Sequence, residues 1–194
     1  MTYTGRDVRR LEDADLLRGA GRFADDLPMR RDTLHAAILR SPHAHAEILS
    51  VDAQGALALP GVDCVLTAED ARRWTRPFAV AVKTPMQHWC LAVDRVRYVG
   101  EPVAVALARD RLTAEDALER ITVRYRPLAP VVDAEKAAEP DGPVLHPAVG
   151  SNIVSERAFC YGDPEAAFAA AAHRVSVTTR YPRNAAARML CCDR

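Results

Sequence analysis

The tetrapeptide TAED occurs twice in this chain, at residues 67–70 and 113–116, and each copy follows an apolar run of strand character. The runs are DCVL at residues 63–66 and VAVALARDRL at residues 103–112. A threonine opening such a tetrapeptide can cap amides that a helix leaves without partners, and the acidic residues complement the positive end of the helix dipole. Both copies therefore predict a strand that passes into a helix, capped at Thr67 and at Thr113. After the second copy, residues 117–120 continue the helix and residues 121–125 (ITVRY) return as an alternating strand, which reads as a βαβ-like unit.

Upstream, residues 34–40 read as a buried strand and residues 46–51 as a second, with SPHAHA turning between them and Pro42 breaking the first run. Residues 53–59 are rich in alanine and leucine and end at Pro60-Gly61, a short helix closed by a turn, and residues 62–66 restart as a strand. The expected fold class is α+β, a mixed β-sheet with short capped helices. Residues 74–88 hold Pro77 and Pro85 without a clean period, which predicts a loop carrying at most an edge strand. Residues 127–152 contain Pro127, Pro130, Pro140, Pro143 and Pro147, a density that favours an extended linker. Beyond it, Asp163-Pro164 is a good N-cap and first-turn pair for a helix over 165–173, followed by an alternating strand over 174–180. The expected division is 1–132, a folded domain with its lead-in; 133–161, the linker; and 162–194, the start of a further domain.

Charge and cysteine usage narrow the function classes. The chain has 26 basic and 26 acidic side chains, so it lacks the positive field that nucleic acid or an anionic membrane would select. No signal-like apolar segment opens the chain and no run reaches the length of a membrane span, so a cytoplasmic location is expected. Cys64, Cys90, Cys160, Cys191 and Cys192 are odd in number and never form CxxC, which argues against a disulfide framework and against a zinc or iron-sulfur site.

The motifs that could carry chemistry are weak. Gly19, Gly21 and Ala24 satisfy a relaxed dinucleotide-binding pattern, but a helix-like stretch precedes them and a turn follows, whereas that motif needs a strand and then a helix. His43 and His45 could begin a metal site, yet His35, His88, His146 and His173 show no ligand spacing, and a turn with a histidine bonded to backbone is the better reading. Ser41, His43 and Asp52 mimic a hydrolytic triad without its nucleophile elbow. Asp25-Asp26 and Glu115-Asp116 fit a turn and a helix start. Arg95 with Arg97, and Arg124 with Arg126, alternate along strands and place each pair on one polar face. Glu101, after Gly100 and before Pro102, reads as the anchor of a turn. No catalytic, cofactor-binding or metal residue is assigned.

Three segments carry a resemblance: GRDVRRLEDADLLRGAGRFADDL at 5–27, LHAAILRSPHAHAEILSVD at 34–52 and CLAVDRVRYVGEPVAVALA at 90–108. Over about residues 5–181 the chain resembles the start of the large subunit of the molybdenum hydroxylases, the family of xanthine dehydrogenase, aldehyde oxidase and aerobic carbon monoxide dehydrogenase. The resemblance implies that 1–132 is an α/β hammerhead domain and 162–194 the start of the molybdopterin-binding domain. It implies an oxidoreductase only as part of a larger assembly, oxidising an aldehyde, an N-heterocycle or carbon monoxide with water as the oxygen source. The expected partners are the molybdopterin-binding portion, an iron-sulfur small subunit and a flavin medium subunit. Molybdopterin cytosine dinucleotide is expected in the full-length large subunit and no cofactor in this chain. After Arg180-Tyr181 the family leads to a proline-methionine-glutamate segment, whereas this chain has Arg188-Met189-Leu190, which predicts truncation or a frame shift near Asn184. The opposing class is a stand-alone, non-catalytic interaction module.

Overall fold

The computed structural model describes residues 4–23, 26–78 and 86–179. The chain divides into two compact units, Asp32–Tyr161 and a second that joins Met1–Arg31 with Gly162–Arg194. In the larger unit, strands β1 (His35–Arg40), β2 (Ala46–Asp52), β3 (Val62–Leu66), β4 (Arg95–Val96), β5 (Pro102–Ala108) and β6 (Thr122–Pro127) alternate with helices α2 (Gln54–Leu57), α3 (Ala68–Trp74), α4 (Arg111–Glu119) and α5 (Ala134–Ala137). The smaller unit holds α1 (Asp13–Leu17) and α6 (Pro164–Ala170).

The strands form two three-stranded antiparallel sheets, ordered β1-β5-β3 and β4-β2-β6. β5 is the central strand of the first sheet because its run of β-formers and alanines can be covered on either side. Ala104 and Ala106 join Ala56 of α2, Ala117 of α4 and Ile121 in one buried cluster, while Ala37, Ala108 and Ala114 form another. Small side chains there let the helices lie close upon the strands. Ala46, Ala92, Val96 and Val103 form the core of the second sheet, backed by Ile48, Val51, Val123 and Tyr125.

The α+β class is what the structure has, with every described pairing antiparallel. The βαβ-like unit is not formed: β5 and β6 lie in different sheets. Both edges of β5 are already taken by β1 and β3, so the strand after α4 must pair elsewhere and runs along β2. A second correction concerns the caps. Thr67 is the N-cap of α3 with extended backbone, and the Asp70 carboxylate accepts from its amide at 2.9 Å, a capping box. In the second copy the cap is Asp110, not Thr113. Its carboxylate accepts from the Thr113 amide at 2.8 Å and from the Thr113 hydroxyl at 2.7 Å, so the helix starts three residues earlier than the TAED pattern implies.

Those two bonds hold the Asp110 carboxyl below its ordinary value of 3.8. A carboxyl with a lowered folded-state pKa contributes stability that is fully present above the unfolded value and is lost as pH falls through the folded one. Asp110→Ala is therefore expected to lower the urea midpoint at pH 7, and that difference should close in acid below about pH 3.8. Thr113→Ala, which leaves the amide bond in place, should lower the midpoint less.

The proline-rich segment is more structured than an extended linker. Asp133 caps α5 by accepting from the Glu135 amide at 2.9 Å. Asn152 then gathers the segment, donating to the carbonyls of Ala137 at 3.0 Å and Pro143 at 2.8 Å and accepting from the Leu145 amide at 2.9 Å. One side-chain amide replaces the ladder that proline denies. In residues 74–88 an antiparallel bridge joins Phe78 to His88, and residues 79–85 lie outside the described residues.

Asp163 caps α6 as expected, accepting from the Ala166 amide at 3.0 Å, but the helix ends at Ala170 where Ala171 turns extended. Residues 174–179 form no ladder among the described residues, against the expected strand, and Arg180 lies outside them. Val175 and Val177 are 87% and 77% exposed, so alternation there supplies a strand pattern without a neighbouring strand to bond.

Candidate functional site

The most polar interior of the larger unit lies where the β1–β2 turn meets the turn before β5 and the end of β6. Ser41, His45 and Glu101 are its buried polar residues. Gly100 makes the second turn possible: with φ +91° it occupies the left-handed region that glycine enters at little cost. Its amide donates to the Ser41 carbonyl at 2.8 Å, the Ser41 amide donates to the Glu101 carbonyl at 2.9 Å, and Arg40 donates to the Gly100 carbonyl at 3.0 Å. The Glu101 side chain accepts from the Arg97 amide and from the Arg97 guanidinium, the latter at 3.2 Å. Glu101 thus anchors the turn and is neutralised within it.

Ser41 is not set up as a nucleophile. Its hydroxyl donates to the His43 carbonyl and accepts from the His43 amide, both at 3.0 Å, which closes a local turn. The His43 ring lies edge-on to Tyr125, with centroids 4.9 Å apart. Asp52 is at the far end of β2, where it accepts from the Gln54 amide at 3.0 Å and starts α2. The structure does not bring the three together. Burial pushes the Tyr125 phenol up, against a smaller opposing effect of its hydrogen bond with Ser41.

His45 is 4% exposed, and its Nδ1 lies 2.7 Å from the Ala129 carbonyl. A carbonyl only accepts, so Nδ1 is the donor of this bond. The His45 carbonyl also accepts from the Leu128 amide at 2.9 Å, so one residue clamps the chain as it leaves β6. His43 and His45 point to different partners, and no group of three His, Cys, Asp or Glu side chains gathers as a metal site among the described residues.

Several arginines pair with carboxylates. Glu47 of β2 stands opposite Arg95 of β4 and Arg126 of β6 and pairs with both. Arg111 bonds Glu115 at 2.8 Å along α4. Glu47 was not visible as a hub from sequence, because its partners lie about 50 and 80 residues away. Gly19 and Gly21 follow α1 rather than a strand, and Gly21 sits against Leu16; Ala24, Asp25, Cys191 and Cys192 lie outside the described residues.

Burial pushes the His146 imidazole below its ordinary 6.5, and Arg97, His88 and Arg95 add to the shift. Unfolded His146 takes up its proton near that value while the folded one resists, so the unfolded state binds more protons and stability rises with pH there. Above 6.5 the effect vanishes; below it, stability should fall as pH drops. His146→Asn is expected to flatten that part of the profile, as read from urea midpoints between about pH 5 and 7.

The family model described as aldehyde oxidase and xanthine dehydrogenase, a/b hammerhead domain, matches residues 18–129. The chain is 36% identical over 193 residues to the nicotine 6-hydroxylase large subunit of Paenarthrobacter nicotinovorans, covering 95% of this chain and 23% of that one. The crystal structure of quinoline 2-oxidoreductase from Pseudomonas putida 86 superimposes with a TM-score of 0.74 at 36% identity, over 87% of this chain and 22% of that one. That of the Cu,Mo-CO dehydrogenase in its carbon monoxide reduced state gives a TM-score of 0.66 at 36% identity, over 78% and 19%. The chain thus spans about a quarter of the length of its curated relatives. By its matched region, its two antiparallel sheets and its short helices, the chain belongs to the aldehyde oxidase and xanthine dehydrogenase a/b hammerhead domain family.

Proposed function

We propose that this chain is the hammerhead portion of the large subunit of a molybdopterin-dependent hydroxylase. The observation that carries the reading is the likeness to a large subunit along 95% of this chain, together with the solved folds of oxidoreductases of the same kind. The role of its own residues is positional. The Glu101–Arg97 pair ties the β1–β5 end of the first sheet, held by the Ser41–Glu101 backbone bonds, to the segment after β4 of the second, and the His45 clamp holds the end of β6, a base on which other parts of a large subunit can be built.

The domain division 1–132, 133–161 and 162–194 belongs to this proposal, as do the partners: a molybdopterin-binding portion, an iron-sulfur small subunit and a flavin medium subunit. The bound cofactor, taken as molybdopterin cytosine dinucleotide, would supply the oxidation of an aldehyde, an N-heterocycle or carbon monoxide with water as the oxygen source. No residue of this chain is given a step in it. The location proposed is the cytoplasm; no helix among the described residues is long and apolar enough to cross a membrane.

The test uses the chain itself. Metal analysis and dye-reduction assays on the purified 194-residue protein are expected to give no stoichiometric molybdenum and no turnover of an aldehyde or a purine. Molybdenum at one per chain would overturn the assignment of the chemistry to other polypeptide.

A further inference from the structure

Residues 133–152 are held together by local turns and by one side chain that reaches across them. The Gly142 amide donates to the Glu139 carbonyl at 3.1 Å, and the amides of Val149 and Gly150 donate to the His146 carbonyl at 2.9 and 3.2 Å. The longer reach belongs to the Asn152 carboxamide, whose three bonds extend to Ala137, Pro143 and Leu145. His146 follows the Leu145 amide that Asn152 holds, and it is half-buried. The charges that act on its ring come from outside the segment, from Arg97, His88 and Arg95. Arg95 is on β4, Arg97 directly after it, and His88 faces Phe78 in the bridge ahead of that strand. Each arginine already holds a carboxylate, Arg97 that of Glu101 at 3.2 Å and Arg95 that of Glu47 at 3.9 Å, and Glu47 is shared with Arg126. A proton added to His146 therefore meets like charge in a place partly removed from water, and both disfavour the charged form. Moving His146 into solvent relieves both. The Asn152 bonds that oppose the movement join uncharged groups, each modest in net strength.

We propose that residues 133–152 form an acid-opened latch: protonation of His146 carries it away from Arg95 and Arg97 and breaks the Asn152 bonds, while the two sheets stay folded. The inference goes beyond the family reading and does not depend on it. The folded His146 imidazole lies below its ordinary 6.5, which agrees in sign: the open segment takes up the proton more readily than the closed one. Opening is therefore favoured as pH falls below 6.5 and is unaffected above it. One linked proton can raise the opening constant by at most about tenfold per pH unit.

Amide hydrogen exchange followed by NMR on the full 194-residue chain tests it. The Leu145 amide reports the latch and the Ala106 amide, in the central strand of the first sheet, reports the fold, each rate being divided by its intrinsic value at the same pH. Protection at Leu145 should fall at least about threefold from about pH 7.5 to about pH 5.5 while that at Ala106 holds. His146→Asn should abolish the fall, and His88→Asn should keep it. His146→Lys, which fixes a charge at that position, should leave Leu145 poorly protected throughout the range, and so should Asn152→Ala, which removes the clamp. Equal Leu145 protection at both ends of the range overturns the latch. A fall that survives His146→Asn, one that His88→Asn abolishes, or full protection in His146→Lys overturns the role of His146. A fall that Ala106 shares is loss of the whole fold and overturns the proposal as well.

Discussion

Glu101→Ala is expected to destabilise the larger unit by about 3 kcal/mol, the cost of breaking a buried ion pair by removing one partner. The Glu101 side chain is 6% exposed against 22% for that of Arg97, so the guanidinium would be left in a poorly solvated place with its main acceptor gone. The Arg97 amide loses its acceptor as well. Because the same turn holds Ser41 through two backbone bonds, the loss would be felt at both sheets. Urea unfolding of the full chain measures it; a midpoint within error of the parent would show that the pair is solvated and the turn self-sufficient.

Ala106→Leu is expected to cost about as much, for the opposite reason, since forcing methylenes into a packed core costs roughly 1–3 kcal/mol. Ala106 is fully buried in the central strand, opposite Ala37 on one side and Val65 on the other, in the cluster that includes Ala117 of α4. The helix would have to lift or the strand to bend. Val105→Leu, one residue away on the opposite and only partly buried face of β5, should leave the midpoint nearly unchanged, and the contrast between neighbours reports the two faces directly.

Local chemistry was legible wherever the partner lies nearby in sequence. The Thr67–Asp70 capping box, the Asp163 cap, the Pro60-Gly61 turn and the strands over 35–40, 46–52 and 62–66 all follow from residues within a few positions of one another. Asp110 was missed because TAED drew attention to Thr113, although an aspartate three residues before a threonine is itself a cap signal. What could not be read was long-range pairing. Nothing in ITVRY says that it bonds β2 rather than returning to β5, and nothing in Glu47 announces Arg95 and Arg126. The buried polar turn was half legible: a histidine bonded to backbone was expected, but its partner, the Ala129 carbonyl, stands 84 residues away. Conversely, the alternation over 174–180 suggested a strand, yet a pattern specifies a face and not a partner.

The strand order has a kinetic consequence. β1, β2 and β3 emerge first during synthesis, and none of them bonds another: β1 and β3 wait for β5, and β2 waits for β6 apart from its two-residue pairing with β4. At about 5–20 residues per second, the first hundred residues spend roughly 5–20 s outside or within the ribosome with almost no ladder available to them. Pairings this distant in sequence are slow to form, since the loop must close before any contact rewards it. Order should therefore arrive late, in the first sheet once residue 108 has cleared the exit tunnel and in the second once residue 127 has, and until then the nascent chain carries unpaired strands that a holding chaperone would have reason to bind.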